Sequence, residues 1–571
     1  MKRFLVILLL IVGGWIGYGY LSEAMVDRSD LELPLAPQAT TGVRPLSEIA
    51  LPPRNPMAAE GVNPMPHGEP AQQDSTILPG PLDTSRQLES DELTFVHLGP
   101  GHFGAFNSSE YPDGRRLLWS NGVNGLYKLD YETYEIYDHL PSDKADEFTQ
   151  EWAEELTAEL DENNGTTALY TAYKALTPLM SLSGIYTVVG RNGWIYIAKK
   201  DGSIVAYGDS IKDEPTSKIE LKAKFQLPDE LAGASVGMNM TFDGWIVFPM
   251  EKGHLIAVSE DLKQHRSIRL KHASTEDTST QNVGYGWVRN SIALDKDGGI
   301  YVASRNHMHK VIWNGDQFST DEKDGAWTAK YRNGTGEGTG ATPSLMGFGD
   351  EDKFVVITDG DIRMNVTLFW RDDIPNGWKT LEGAPSNRIA GLAPASMGAL
   401  NVQKIQSEQT VIVAGYGALV VNNRPRNIPF FFPKDGNSLG LLNGPLGGNP
   451  KFQPYGVQKF QWNPAKQRIE TAWVNEEMSS PNGVPWVSLG SGQVYLMGAR
   501  DNKWTLEAID WATGESTFYY VIGGQKWNST YSGPTIDENG RVFYGTMWGR
   551  ARIQPNLTEN QNSNSDAVEA M

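Results

Sequence analysis

Three short motifs carry residue types able to do chemistry. Gly233, Ser235 and Gly237 match the G-x-S-x-G pattern of a nucleophilic serine. That pattern needs a sharp strand-to-helix turn to lift the hydroxyl into a site. Here a polar stretch precedes it and strand-forming residues 238–248 follow, so it reads as the start of a strand unit. His307 and His309 stand two residues apart, which puts both imidazoles on one face of an extended chain, as for two zinc or copper ligands. No carboxylate or third histidine is close in sequence, and a surface hairpin is the better reading. Asp295, Asp297 and Gly298 imitate part of a calcium loop but lack its third acidic ligand and distal Glu.

Composition removes other chemistries. The 571-residue chain has no cysteine, which excludes disulfides, c-type haem attachment, iron–sulfur clusters and thiolate zinc sites. With 69 acidic against 49 basic side chains the net charge is -20. No Lys/Arg cluster stands out to neutralise phosphates, which argues against nucleic acid as a partner.

The elements that position any site come from a repeat. Residues Asn192-Gly193-Trp194-Ile195 and Asp243-Gly244-Trp245-Ile246 coincide at an offset of 51 residues. Each unit is a tight turn, an apolar strand, a Gly-containing turn and a second strand. The same element recurs at 297–302, 353–356, 410–413, 493–496 and 539–542, and an earlier copy lies at 116–119. A period of about 50 residues is that of a four-stranded propeller blade. The expected fold is an all-β propeller of eight blades over residues 90–554, or seven if one unit is only an elaborated loop.

Two units carry a further signature, 126–133 and 506–515: apolar residues, then Asp130 or Asp510, two free positions and Thr133 or Thr513. This resembles the blade turn of the quinoprotein-like propeller superfamily, where Asp caps the turn. The resemblance implies a quinone cofactor and calcium. Quinoprotein alcohol dehydrogenases also use a vicinal cysteine pair, absent here, so a quinone-dependent dehydrogenase is disfavoured. Residues 289–303 are similar to one blade of gluconolactonase-like and strictosidine-synthase-like propellers. In their calcium-dependent members the residue matching Asn290 is a metal ligand, which implies Asn290 as a metal ligand here.

In a propeller the functional ground is the ring of residues preceding each innermost strand. The repeat assigns His102, Arg289, Asn290, Glu337, Thr342, Glu476, Asn482 and Asn528 to that channel mouth as candidate ligand-binding residues. Arg289 is expected to pair there with Glu337 or Glu476, because burying it without a carboxylate costs several kcal/mol.

The ends of the chain give an address. Lys2 and Arg3 precede an apolar run, 4–21, that serves as a signal anchor (a transmembrane helix) or as a cleaved signal peptide within residues 1–24. Either sends the remainder to the periplasmic side of a bacterial inner membrane or beyond. Residues 25–89 hold eleven of the 33 prolines and read as a disordered, extended spacer, with a strap packed along the folded body as the sharper alternative. A helical insertion is expected at 142–178, between the first two blades. Its acidic helix at 142–162 is a candidate dock for an envelope protein. Residues 555–571 read as a disordered tail. Two functions follow: a membrane-tethered binding or scaffolding module acting through the channel mouth, or a calcium-assisted hydrolase.

Overall fold

The computed structural model describes residues 33–40, 45–231, 233–272, 288–398, 404–432 and 436–556. The apolar run at 4–21 and the tail at 557–571 lie outside the described residues. Among the described residues no helix is long and apolar enough to cross a membrane.

Eight antiparallel sheets succeed one another along the chain. Their innermost strands are Phe106–Asn107, Thr187–Val189, Asn239–Met240, Ala293–Leu294, Ser344–Met346, Ile412–Ala414, Trp486–Ser488 and Thr535–Ile536, and we number blades 1 to 8 in that order. Closure is by exchange of ends. The outer strand of blade 8, Leu93–His97, comes from the N-terminal side and pairs antiparallel with Gly549–Ile553, Leu93 facing Ile553 and His97 facing Gly549. The eight expected units coincide with the eight blades.

The turn signature works as the quinoprotein-type pattern requires. Asp130 Oδ1 accepts from the backbone N–H of Glu132 at 2.8 Å and of Thr133 at 2.7 Å. Asp510 does the same for Ala512 and Thr513. The left-handed position is held by Gly514 (φ 79°) in one turn and by Tyr134 (φ 62°) in the other.

Blades stack through apolar faces, and three buried lysines cross between them from third strands. Lys128 Nζ reaches Asp209 of blade 2 and Lys310 Nζ reaches Asp372 of blade 5, each at 2.8 Å. Among the described residues Lys459 Nζ donates to the carbonyl of Trp511, at 2.7 Å, with that residue's indole ring beneath it and no acid in salt-bridge reach. Burial without an acid partner lowers its pKa to about 7.

The helical insertion is present. Helix α1 (Gln150–Glu162) starts at Thr149, whose hydroxyl accepts from Trp152 N–H, and buries Ala153, Leu156 and Leu160. Helix α2 (Leu169–Leu176) follows. Both pack on a helix not anticipated from sequence, α3 (Gly436–Asn443), inserted between the second and third strands of blade 6. Antiparallel strand direction puts both insertions on the face that carries the blade-to-blade connections.

The proline-rich segment is not a spacer. Its carbonyls accept from backbone N–H groups of innermost strands: Pro64 O from Val189, Pro70 O from Leu294, Ala71 O from Leu345, Gln73 O from Val413 and Asp74 O from Val487, all at 2.8 to 3.0 Å. Asn63 exchanges bonds with Asn107 of blade 1, and the Asn239 amide of blade 3 donates to Pro70 O. Thus residues 55–76 touch seven of the eight innermost strands and fill the channel axis. Ser75–Thr76 then runs parallel to the inner edge of blade 7, and Arg86–Gln87 parallel to its outer edge. The physical reason is that innermost strands need partners on their axial side. Proline-rich chain offers carbonyls without competing donors.

Candidate functional site

Above this plug the channel opens as a chamber of about 420 Å³, within the range of small-molecule sites. Its walls are the residues preceding the innermost strands, among them Tyr186, Asn290, Thr342, Glu408 and Tyr531, and α3 contributes Gly440 and Asn443.

The floor is the tip of the plug. His67 Nδ1 faces both carboxylate oxygens of Asp74, at 2.9 and 2.8 Å. His67, Gln72 and Asp74 all take positive φ, 54° to 60°, a strained conformation held in place by the Gln72 side chain, which donates to Pro66 O and Glu69 O. Below them the Glu69 carboxylate accepts from Ala71 N–H at 2.5 Å and Gln73 N–H at 2.8 Å. Burial outweighs these bonds and raises its pKa to about 7. Burial also raises that of Asp74, against the opposing pull of His67.

The cationic wall is Arg550, from the third strand of blade 8. It is 2 % exposed and lines the chamber. Its Nη1 donates to the carbonyls of Phe103 (3.1 Å) and His102 (3.4 Å), while Nε has no partner. Among the described residues no carboxylate lies within salt-bridge distance. Burial lowers its pKa to about 10, which leaves it charged at neutral pH. Glu408, also on the wall, is engaged by Arg289 Nη2 at 2.9 Å. Burial raises the Glu408 pKa and Arg289 opposes that rise.

The residues assigned from sequence divide. Asn290 and Thr342 line the chamber. Arg289 is beside it, bonded to Glu337 through that residue's backbone carbonyl at 3.1 Å, but its carboxylate partner is Glu408, not Glu337 or Glu476. Glu476 lines a separate cavity with Lys404, Arg426 and Tyr455, at the start of the blade 6–7 connection. His102 is not at the mouth. It is fully buried, bonded to Ser120 Oγ at 2.9 Å, and burial lowers its pKa to about 3. Asn482 and Asn528 are fully buried too. They pin α3 by donating to the carbonyls of Asn443 and Gly444.

The three opening motifs resolve simply. Ser235 donates to Gly237 O and meets no base among the described residues. Asp295 caps its turn, accepting from Asp297 and Gly299 N–H and from the Tyr301 hydroxyl. His309 is saturated by Ser304 and Thr328, and His307 stacks on His272 with ring centres 4.5 Å apart. Among the described residues no group of three or more His, Asp or Glu is placed to hold a metal. At Asn290 the side-chain amide donates to Thr339 O, and the nearby acid Glu408 is engaged by Arg289.

Comparison adds little chemistry. No family model matches the chain. An uncharacterized protein of Archaeoglobus fulgidus is 32% identical over 458 residues, 78% of this chain and 79% of that one. Solved structures similar to it include a europium-containing methanol dehydrogenase (12% identity, TM-score 0.46, 89% of this chain and 94% of that one). Another is the quinohemoprotein alcohol dehydrogenase of Comamonas testosteroni (11% identity, TM-score 0.45, 94% and 81%). The eight sheets themselves, rather than these likenesses, establish the propeller.

Proposed function

We propose a binding function for the family to which this chain, with the uncharacterized Archaeoglobus fulgidus protein, belongs: the propeller captures a small monocarboxylate in its axial chamber. What supports the reading is Arg550, a buried guanidinium on the chamber wall with no acid partner among the described residues. An uncompensated buried charge is costly, and a ligand carboxylate would supply the missing bidentate partner. A monoanion fits better than a phosphate. Arg289 is already matched by Glu408, and the carboxylates of Glu408 and Asp74 at the chamber repel a second negative charge.

The address belongs to the same proposal. Lys2, Arg3 and the apolar run at 4–21 export the propeller and, if uncleaved, tether it to the membrane. On α1, Glu159 is held by Lys174 and Thr171, and Asp161 accepts from Gln525 N–H. Glu151, Glu154, Glu155 and Glu162 stay exposed as the acidic face offered to a basic partner.

Titration calorimetry with butyrate and its neutral isostere butyramide tests the chamber. Saturable binding of butyrate, no binding of butyramide, and at least a ~10-fold weaker butyrate affinity in Arg550→Met are expected. Equal binding of the two probes, or an unaffected variant, overturns the reading.

A further inference from the structure

The floor of the chamber carries a catalytic device, and we propose that His67 is the general base of a hydrolase acting on carboxylate-bearing esters. The inference rests on the binding reading above, because Arg550 places the substrate's carboxylate. His67 Nδ1 is fixed on Asp74, which leaves Nε2 as the basic nitrogen. Nε2 makes no hydrogen bond among the described residues, and the residue lines the chamber. The strained backbone of His67, Gln72 and Asp74 holds this pair at the tip of the plug, where a purely structural filler needs neither the strain nor the His67–Asp74 hydrogen bond.

A donor for the developing oxyanion is also present. Tyr186 lines the chamber, and its hydroxyl has no hydrogen-bond partner among the described residues. Burial and the Asp74 charge push its pKa up to about 12, so it keeps its proton. The titratable groups that share the chamber with His67 are Asp74, Tyr186, Glu408, Tyr531 and Arg550, with Glu69 beside it in the plug.

In the reaction, Nε2 takes one proton from water as the water oxygen bonds to the ester carbonyl carbon. The carbonyl pair moves onto oxygen, which Tyr186 stabilises by a hydrogen bond. Collapse of the tetrahedral intermediate breaks the carbon–oxygen bond, and the departing alcohol leaves with the proton from the imidazolium. One water is consumed, an acid and an alcohol form, and nothing is oxidised or reduced.

The test compares 4-nitrophenyl hemisuccinate with the neutral 4-nitrophenyl butyrate. The full chain should hydrolyse the first faster. His67→Asn keeps a side-chain donor for Asp74 and tolerates positive φ. It should lose at least ~100-fold in kcat with KM nearly unchanged, and should still bind butyrate. Asp74→Asn, which tolerates the same φ, should lower kcat and alter the pH profile. Butyrate binding without hydrolysis above the buffer rate, or wild-type kcat in His67→Asn, overturns the catalytic inference and leaves the binding reading standing. Failure of butyrate to bind the wild-type chain overturns both.

Discussion

Arg550 reaches the chamber by lying over Gly545, its register partner on the neighbouring strand of blade 8. A Cβ at residue 545 would stand 3.1 Å from Arg550 Nη1, 2.5 Å from the carbonyl oxygen of His102 and 2.9 Å from that of Phe103. Those two carbonyls are the ones that Arg550 donates to. The missing side chain at 545 therefore makes room both for the guanidinium and for the backbone that orients it.

Gly545→Ala should accordingly fail twice. The carbonyls cannot withdraw like a flexible side chain, so overpacking should cost about 1–3 kcal/mol, seen as a lower Tm. Butyrate affinity should fall with it. A variant with unchanged Tm and affinity would mean that the arginine is not held this way.

Removing the plug should undo the propeller. A chain beginning at residue 90 leaves the inward N–H groups of Val189, Leu294, Leu345, Val413 and Val487 without the carbonyls that accept from them. Each orphaned buried group costs about 1–3 kcal/mol, together comparable to the whole stability of an ordinary domain. Such a chain is expected to aggregate or to lose its cooperative unfolding transition. A truncated protein that unfolds like the full one would contradict the plug's role.

The blades were legible in sequence, as were Asn290 and Thr342 on the chamber wall, but the chamber's floor and Arg550 were not, for a definable reason. Asn192-Gly193, Asp243-Gly244 and Asp297-Gly298 mark turns that fold by local rules, and the apolar strands between them alternate as a pattern must. Residues 55–76 obey no such pattern. They are ordered by carbonyls that accept from distant strands and by side chains such as Asn55 and Gln73, which donate to Met240 O and Leu345 O. The available signal was the density of His67, Glu69, Gln72, Gln73 and Asp74 inside a proline-rich stretch. Arg550 was missed because it stands on a third strand, and only its pairing with Gly545 lets it reach the axis. His102 was misplaced because Gly101 and Phe103 resemble a loop, whereas the ring turns inward onto Ser120.

Lys459 should leave a mark on stability against pH. Its folded pKa, about 7, lies below the ordinary lysine value. Between about pH 7 and 10.5 the unfolded chain holds a proton there that the folded chain does not. Stability from this group therefore rises with pH across that window, by at most roughly 1.4 kcal/mol per unit, and is flat below it. Denaturant titrations from pH 6 to 10 should show the rise in wild type and lose it in Lys459→Met. An identical slope in both would place the titration elsewhere.

The export reading has its own check. Alkaline phosphatase fused after Glu89 in a bacterial host should be active, because that reporter folds only outside the cytoplasm. Inactive fusions at normal abundance would refute it.

The most direct measurement is a crystal structure of the protein grown with butyrate. The account predicts the carboxylate in the axial chamber, within hydrogen-bond distance of the Arg550 guanidinium and above the His67–Asp74 pair. An empty chamber with butyrate held instead beside Lys404 and Arg426, or a carboxylate of the protein itself seated on Arg550, would contradict it.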